Sequence, residues 1–311
     1  MMRRRGFLTL AAASVPAAAL AALPRAAAAT TNACLPDWYS LKTRKVSQYE
    51  VLYKTTHGQP NGLFYSHEGL WVLDQGIGHW VTLTRLHDGS VIREFQADVV
   101  GPSGLVIDDD NVMWITSTHN SLIVAVDPSN GKTIAKYTTP GAGRIYRKAD
   151  DLPNRVTKLK RAYPEASRAV GGADYSAGRG ALAPGQLPLD TEEGAGGTGA
   201  HGILAKGANL IYACPPSRAI FVIDKKSWVV QDVWPTAGNR PHGISWSDDS
   251  KQSFWNADSN LNAFFRYELA TGRIVERIQL GDDSPVIHGA KLIDGHMYCC
   301  DDVGWLWRFK L

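Results

Sequence analysis

Several common kinds of chemistry are absent from this sequence. There is no Gly-x-Ser-x-Gly elbow, no Walker loop and no dinucleotide fingerprint set between a strand and a helix, which removes serine hydrolases and nucleotide-dependent enzymes as leading readings. Cysteine is scarce. The four are Cys34, Cys214, Cys299 and Cys300, and no Cys-x-x-Cys occurs, so a thiolate zinc site is not expected. In an oxidising compartment a bridge from Cys34 or Cys214 to the Cys299/Cys300 pair is open, but spacing does not fix connectivity. Charge of one sign is lacking too. The net +3 owes much to Arg3, Arg4 and Arg5, and the near-neutral remainder has no basic stripe for nucleic acid. Past the first thirty residues no apolar run is long enough to span a bilayer, so no membrane span is expected.

With 44% apolar residues in 311, the chain can bury a core, and one or two domains are expected. Met1–Ala29 has the form of an export signal: an arginine cluster, an Ala/Leu-rich stretch and a run of small residues. It is set aside from fold reasoning. The Arg4-Arg5-Gly6-Phe7-Leu8 run resembles a twin-arginine signal, an address read by an export machinery that carries folded proteins. That resemblance implies the export machinery as a partner, a periplasmic or secreted product, and a raised expectation of a metal acquired before export. An ordinary secretory signal with an arginine cluster is the alternative. Cys34 follows Ala33 too far beyond the apolar stretch to suit a lipoprotein.

The informative feature is a repeat. An X-Gly-apolar element recurs as Asn61-Gly62-Leu63, Ser103-Gly104-Leu105, His201-Gly202-Ile203, His242-Gly243-Ile244 and His288-Gly289-Ala290, at roughly forty-residue spacing with one gap about twice as long. After it come a polar turn, a short apolar strand such as Leu70-Trp71-Val72-Leu73 or Val112-Met113-Trp114-Ile115, and a later strand such as Leu122-Ile123-Val124-Ala125-Val126-Asp127. Four short strands at this period make one propeller blade. The expected fold is therefore all-β, a β-propeller over residues 30–311 with five visible blades and room for a sixth. The last repeat is one strand short. Tyr49-Glu50-Val51-Leu52-Tyr53 has strand character and is expected to close the ring, which removes exposed edges.

Residues 141–199 break the period. They hold an amphipathic stretch from Leu152 to Tyr163 and then a Gly/Ala/Pro-rich segment. A long segment of this kind inside a compact domain reads as a functional insertion, here a lid over one face; a degenerate sixth blade is the alternative. On its repeats the chain resembles the NHL-like propeller superfamily, including the gluconolactonase group, the streptogramin lyases and the peptidyl-hydroxyglycine amidating lyase. The resemblance covers nearly all of residues 45–311. It speaks to fold more than to activity.

His201, His242 and His288 occupy the same position of three successive repeats. The resemblance implies that this position lies by the propeller axis, so the three rings are expected to converge. Three imidazoles suit a borderline divalent ion with one position open, zinc first, with iron or copper as alternatives. The amidating lyase uses three propeller histidines on zinc, and only that role is carried over. For any one of the three, a hydrogen-bonded histidine at a strand end is the bland alternative. The gluconolactonase group holds its metal with carboxylate and asparagine oxygens that this chain lacks at the repeat positions, which argues against a calcium lactonase.

Other candidates surround the expected mouth. His57, four residues before the first element, reads as a fourth ligand or substrate contact. His79 and His119 lie in loops after second strands, and Asn61 and Ser103 hold the histidine position in the first two repeats; all four are candidate substrate contacts, against solvated loop or backbone-bonding roles. Asp74, Asp258 and Asp301 follow second strands and are acid, base or ligand-orienting candidates, or blade-turn residues that hold backbone amides. Arg144 and Tyr146 open the insertion; lyases of the resembled kind use such residues. The resulting expectation is an exported metal-dependent lyase or hydrolase acting on a small organic substrate at the axial mouth. A non-catalytic ligand- or protein-binding propeller is the alternative, as is a four-histidine iron oxygenase with His57 as the extra ligand. The sequence leaves substrate and oligomeric state open.

Overall fold

A computed structural model describes residues 41–143 and 198–311, apart from 239, 282, 283 and 302. The expected leader at Met1–Ala29, Cys34, Arg144, Tyr146 and nearly all of the 141–199 insertion lie outside those residues.

Two strands come before the first repeat, β1 (Thr43–Val46) and β2 (Glu50–Lys54). The first blade is β3 (Pro60–Ser66), β4 (Gly69–Asp74), β5 (Trp80–Thr84) and β6 (Val91–Gln96). The second is β7 (Gly104–Ile107), β8 (Met113–Ser117), β9 (Leu122–Val126) and β10 (Thr133–Thr138). The third is β11 (Ile203–Lys206), β12 (Asn209–Cys214), β13 (Ala219–Asp224) and β14 (Val230–Pro235). The fourth is β15 (Pro241–Trp246), β16 (Ser253–Asp258), β17 (Ala263–Glu268) and β18 (Ile274–Leu280). The fifth takes β19 (Ala290–Ile293), β20 (His296–Cys300) and β21 (Trp305–Lys310) from the C-terminal end of the chain.

Each blade is an antiparallel meander, and the five first strands β3, β7, β11, β15 and β19 contact one another in a ring. The described residues thus form a five-bladed β-propeller. Its closure is the expected one: β2 pairs antiparallel with β21, Glu50 opposite Arg308 and Val51 opposite Trp307, and completes the fifth blade. Unforeseen is β1, which adds to β18 in parallel as a fifth strand of the fourth blade.

The alternation of the sequence decides where the core sits. Second and third strands are buried on both faces, so they read as near-continuous apolar runs. Outer strands such as β6 and β14 alternate or face water. The buried side chains lie between blades, with Trp71, Trp307, Tyr212, Phe254 and Phe264 among the largest. Sulfur belongs to this core as well. Cys214, Cys299 and Cys300 are buried free thiols, with Cys214 in the third blade and the pair in the fifth. A bridge between Cys214 and that pair, left open by the sequence, is not formed, because β12 and β20 belong to different blades.

The glycine of the repeat element has one physical reason. A methyl group on Gly62, Gly104, Gly202, Gly243 or Gly289 would press on backbone of the next blade, at Ser103, His201, His242, His288 and Asn61 in turn. That circuit returns to its start, so the five glycines let the five innermost strands meet around a narrow channel. The cavity at that ring measures about 10 Å³, about the room of one water.

A second glycine position lies in the turn between third and fourth strands. Gly89, Gly131 and Gly272 have φ of 72°, 78° and 65°, and an aromatic ring of the preceding blade's outer strand (Tyr53, Phe95 or Trp234) covers each. The third blade departs from this rule. Trp228 holds the position at φ 58°, and its indole stacks on Tyr137 with centroids 4.1 Å apart while donating to the Thr138 carbonyl at 2.8 Å.

Candidate functional site

The histidine position falls at the start of the innermost strands, on the rim where second strands end. In the first and fourth blades it coincides with a break in register, between Pro60 and Gly62 and between Pro241 and Ile244. Such a bulge re-aims a side chain, here the residue before glycine. His201 and His242 stack with ring centroids 4.3 Å apart and planes 27° apart. His242 and His288 lie 4.9 Å apart at 59°. His242 and His288 are buried, and His201 is partly exposed. The structure therefore brings together the three imidazoles singled out by the repeat.

The two non-histidine blades complete the ring. Asn61 donates through Nδ2 to Ser103 Oγ at 3.1 Å and to Gln75 Oε1 at 2.6 Å. Gln75 Nε2 lies 3.2 Å from His119 Nε2, so a polar chain runs from the axis to His119, whose ring packs on Gly101 while its edge meets solvent. Partial burial holds the His119 pKa below its usual value, and the neighbouring His79 adds to that. Asn61, Ser103 and His119 are thus joined through Gln75, with His79 near enough to His119 to act on it. His57 lies outside that chain. Its ring lies flat on Trp80, with centroids 4.7 Å apart, and its Nε2 is 2.9 Å from Glu94 on the outer strand of the first blade. That contact takes it away from the three stacked rings.

The three aspartates are engaged by backbone. Asp74 accepts from the Gln59 and Gly76 amides, both at 2.7 Å. Asp258 accepts from the amides of Arg240, Asn260 and Leu261 at 2.9 to 3.0 Å. Asp301 accepts from those of Val303 and Trp305. These are the blade-turn contacts the sequence offered as the alternative role. Burial raises the pKa of Asp74 and Asp258, and the amides that donate to them oppose that shift.

Two residues of the rim escaped sequence reasoning. Gln75, just after Asp74, links Asn61 to His119. Arg240 is almost fully buried, and its Nη2 lies 3.3 Å from His288 Nε2, to which it donates. The available signal was position: Arg240 stands two residues before His242, where Gln59 stands before Asn61. Nothing in the repeat pattern announces a buried guanidinium.

The donor types match zinc, iron or copper chemistry, but their disposition does not fit a three-imidazole ion site. His201 and His242 face each other ring to ring, and the His288 Nε2 is engaged by a cation. Among the described residues, no group of three or more His, Cys, Asp or Glu is placed to hold a metal ion.

The insertion is rooted beside this rim. Gly143 and Thr198 exchange backbone hydrogen bonds at 3.0 and 2.8 Å, and Gly199 donates to the Thr118 carbonyl at 2.8 Å. Its two ends therefore meet between the second and third blades, three residues before His201.

The class that fold and site define is a five-bladed β-propeller with a polar axial mouth. Among solved structures, the glutaminyl cyclase of Myxococcus xanthus is similar, with a TM-score of 0.55 at 8% identity over 86% of this chain and 97% of that one. A virginiamycin B lyase of Staphylococcus aureus gives a TM-score of 0.42 at 15% identity, covering 85% and 99%. A catalytically inactive form of the latter, with quinupristin, gives 0.45 at 15% identity, covering 85% and 100%. At these identities the cyclase likeness speaks to the fold alone. No family model matches the chain, and no curated protein does. No helix among the described residues is long and apolar enough to cross a membrane.

Proposed function

We propose that the protein is an exported enzyme of the lyase or hydrolase class, periplasmic or secreted, that converts a small organic substrate at the axial mouth. The observation that carries this reading is the stack of three imidazoles from three blades, 4.3 and 4.9 Å apart, at the opening of the channel. Charging two rings at that separation costs roughly 4 kcal/mol in a partly buried setting. Two neighbouring rings can divide the roles of proton donor and proton acceptor toward a substrate. His201, the partly exposed ring, is the one a substrate meets. His242 and His288 stand behind it, and Arg240 acts as a positioning residue through His288. Gln75, Asn61, Ser103 and His119 supply polar contacts on the opposite side of the rim.

A divalent ion would need the three rings to turn onto one point and His288 to leave Arg240. Metal analysis of the purified protein addresses this directly. A zinc, iron or copper ion at one per chain, lost on replacing His242, would replace the metal-free reading. Screening against small esters, lactones and substrates prone to elimination tests the enzyme itself. The expected result is turnover that falls about 10²- to 10⁴-fold in His201→Ala; turnover that survives replacement of all three histidines would remove the proposal.

One observation favours a non-catalytic binding propeller as the second reading. The three rim aspartates are engaged by backbone amides, so the general base rests on imidazole alone. Ligand binding without any turnover, intact after all three histidines are replaced, would establish it.

A further inference from the structure

The opposite end of the channel carries a second cluster, of a single charge sign. The innermost strands run away from the histidine rim: Lys206 ends that of the third blade, Lys251 lies in the turn after that of the fourth, and Lys291 stands within that of the fifth, Ala290–Ile293. Lys206 donates through Nζ to the Lys251 backbone carbonyl at 2.7 Å, which draws a lysine of one blade to the turn of the next. Lys291 Nζ stands 5.2 Å from the centre of the Phe64 ring in the first blade. The hydroxyl of Ser245 accepts from the Leu292 amide at 2.8 Å and fixes the fifth blade's strand against the fourth. Three cations from three successive blades thus gather around one rim.

Asp248, close by in sequence and in the turn with Lys251, is engaged elsewhere: it accepts from the Ser247 and Ser250 hydroxyls and the Ser250 amide. Among the described residues none of the three lysines forms an ion pair with a carboxylate. Lys291 shows the cost: burial, aided by the Lys251 charge, lowers its pKa to about 8. Gathering like charges at a partly buried rim is unfavourable unless an anion offsets it.

We propose that Lys206, Lys251 and Lys291 form a binding site for a small oxyanion, a phosphate or a carboxylate, at the end of the channel opposite the histidines. The site is independent of the reaction at the histidine mouth. A phosphate engaged by three ammonium groups gains charge-assisted hydrogen bonds, and the Phe64 ring gives it a dry wall.

Calorimetric titration of the full protein with inorganic phosphate, and in parallel with succinate, tests the site and tells its preferred anion. Saturable binding at one per chain is expected. Lys206→Ala and Lys291→Met should each weaken it about tenfold or more, while Lys310→Ala, which removes an exposed lysine elsewhere, should not. No saturable binding of either anion, or an equal loss in Lys310→Ala, overturns the proposal.

A chemical readout covers the case in which Lys291→Met does not fold. Pyridoxal phosphate carries an aldehyde and a phosphate on one molecule. The Lys291 amine adds to the aldehyde carbon, water leaves, and borohydride delivers hydride to the imine carbon to give a stable secondary amine. Peptide mapping should find Lys291 labelled first at pH 8, with inorganic phosphate protecting it and Lys206→Ala slowing it. Labelling spread over surface lysines without protection sinks the site.

Discussion

Arg240 and His288 meet at 3.3 Å, guanidinium nitrogen to imidazole nitrogen, both almost fully buried and on adjacent blades. The contact joins the fourth and fifth blades at the mouth, beside the hydrogen bond that the Ser259 hydroxyl donates to the Ile287 carbonyl, and the repeat pattern did not announce it. It holds the last ring of the histidine stack by one nitrogen. Arg240→Met keeps the bulk and removes the donor. The outcome expected is a changed pH profile of turnover and a weaker kcat, with the substrate KM less affected, since the arginine acts through His288. A KM change alone would contradict the positioning role.

The axial glycines give a stability prediction. Gly202→Ala forces a methyl into the His242 carbonyl, which is backbone and cannot give. A loss of about 3 kcal/mol is expected in chemical denaturation. Gly207, in an open turn with φ 54° and nothing near its would-be methyl, should lose only about 1 kcal/mol on the same change. Equal losses would show that the ring of glycines is not set by close approach.

Asp108 predicts acid sensitivity. It is buried, which by itself raises its pKa, but Lys225 at 2.7 Å, the Trp114 indole at 2.8 Å and the Val112 amide outweigh that and leave it lowered. A carboxylate with a folded pKa below its unfolded one stabilises the fold above the ordinary aspartate range near 3.9. That contribution is lost as pH falls through the lowered value. Lys225→Met should cost on the order of 2 kcal/mol at neutral pH and flatten the acid limb of the stability profile, read by thermal melts from pH 7 to 3.

His119 should titrate below 6.5 in proton NMR, because burial and the nearby His79 disfavour its charged form. Its protonation therefore favours the unfolded chain, and stability declines as pH falls through that range. In His79→Ala the midpoint should rise toward the ordinary value, and an unmoved midpoint would mean that the two rings do not sense each other.

The three described cysteines are buried thiols. Burial pushes the Cys214 thiol up to about 12 and raises those of Cys299 and Cys300, and a thiol so held is a poor nucleophile. Iodoacetamide should leave them unmodified in the native protein and alkylate them after unfolding. Labelling of Cys299 or Cys300 in the native state would place them nearer the surface than this fold allows.

Much of this was legible in the chain itself. The X-Gly element at 61, 103, 201, 242 and 288 marks the five innermost strands, because close approach at an axis admits only glycine. The histidines at the same position meet for the same reason. Their manner of meeting was not legible. Ring planes, the Arg240 contact and the departure of His57 to Glu94 and Trp80 depend on side-chain directions across blades. The three aspartates show the limit from the other side: their place after second strands fitted catalysis and turn-holding equally, and only the amide positions separate them.

The sequence alone determined the repeat and the ring of glycines, since period and the need for a missing Cβ are local properties carried in order along the chain, while five blades rather than six was settled among the described residues by the closed ring of sheets. It also marked which residue type stands at the axis in each blade. Tertiary structure decided what those residues do to one another: which imidazoles stack, which cation holds the last of them, and that three lysines share the far rim. Those relations join residues far apart in the chain, and the closed ring alone sets the distances at which their charges and hydrogen bonds act.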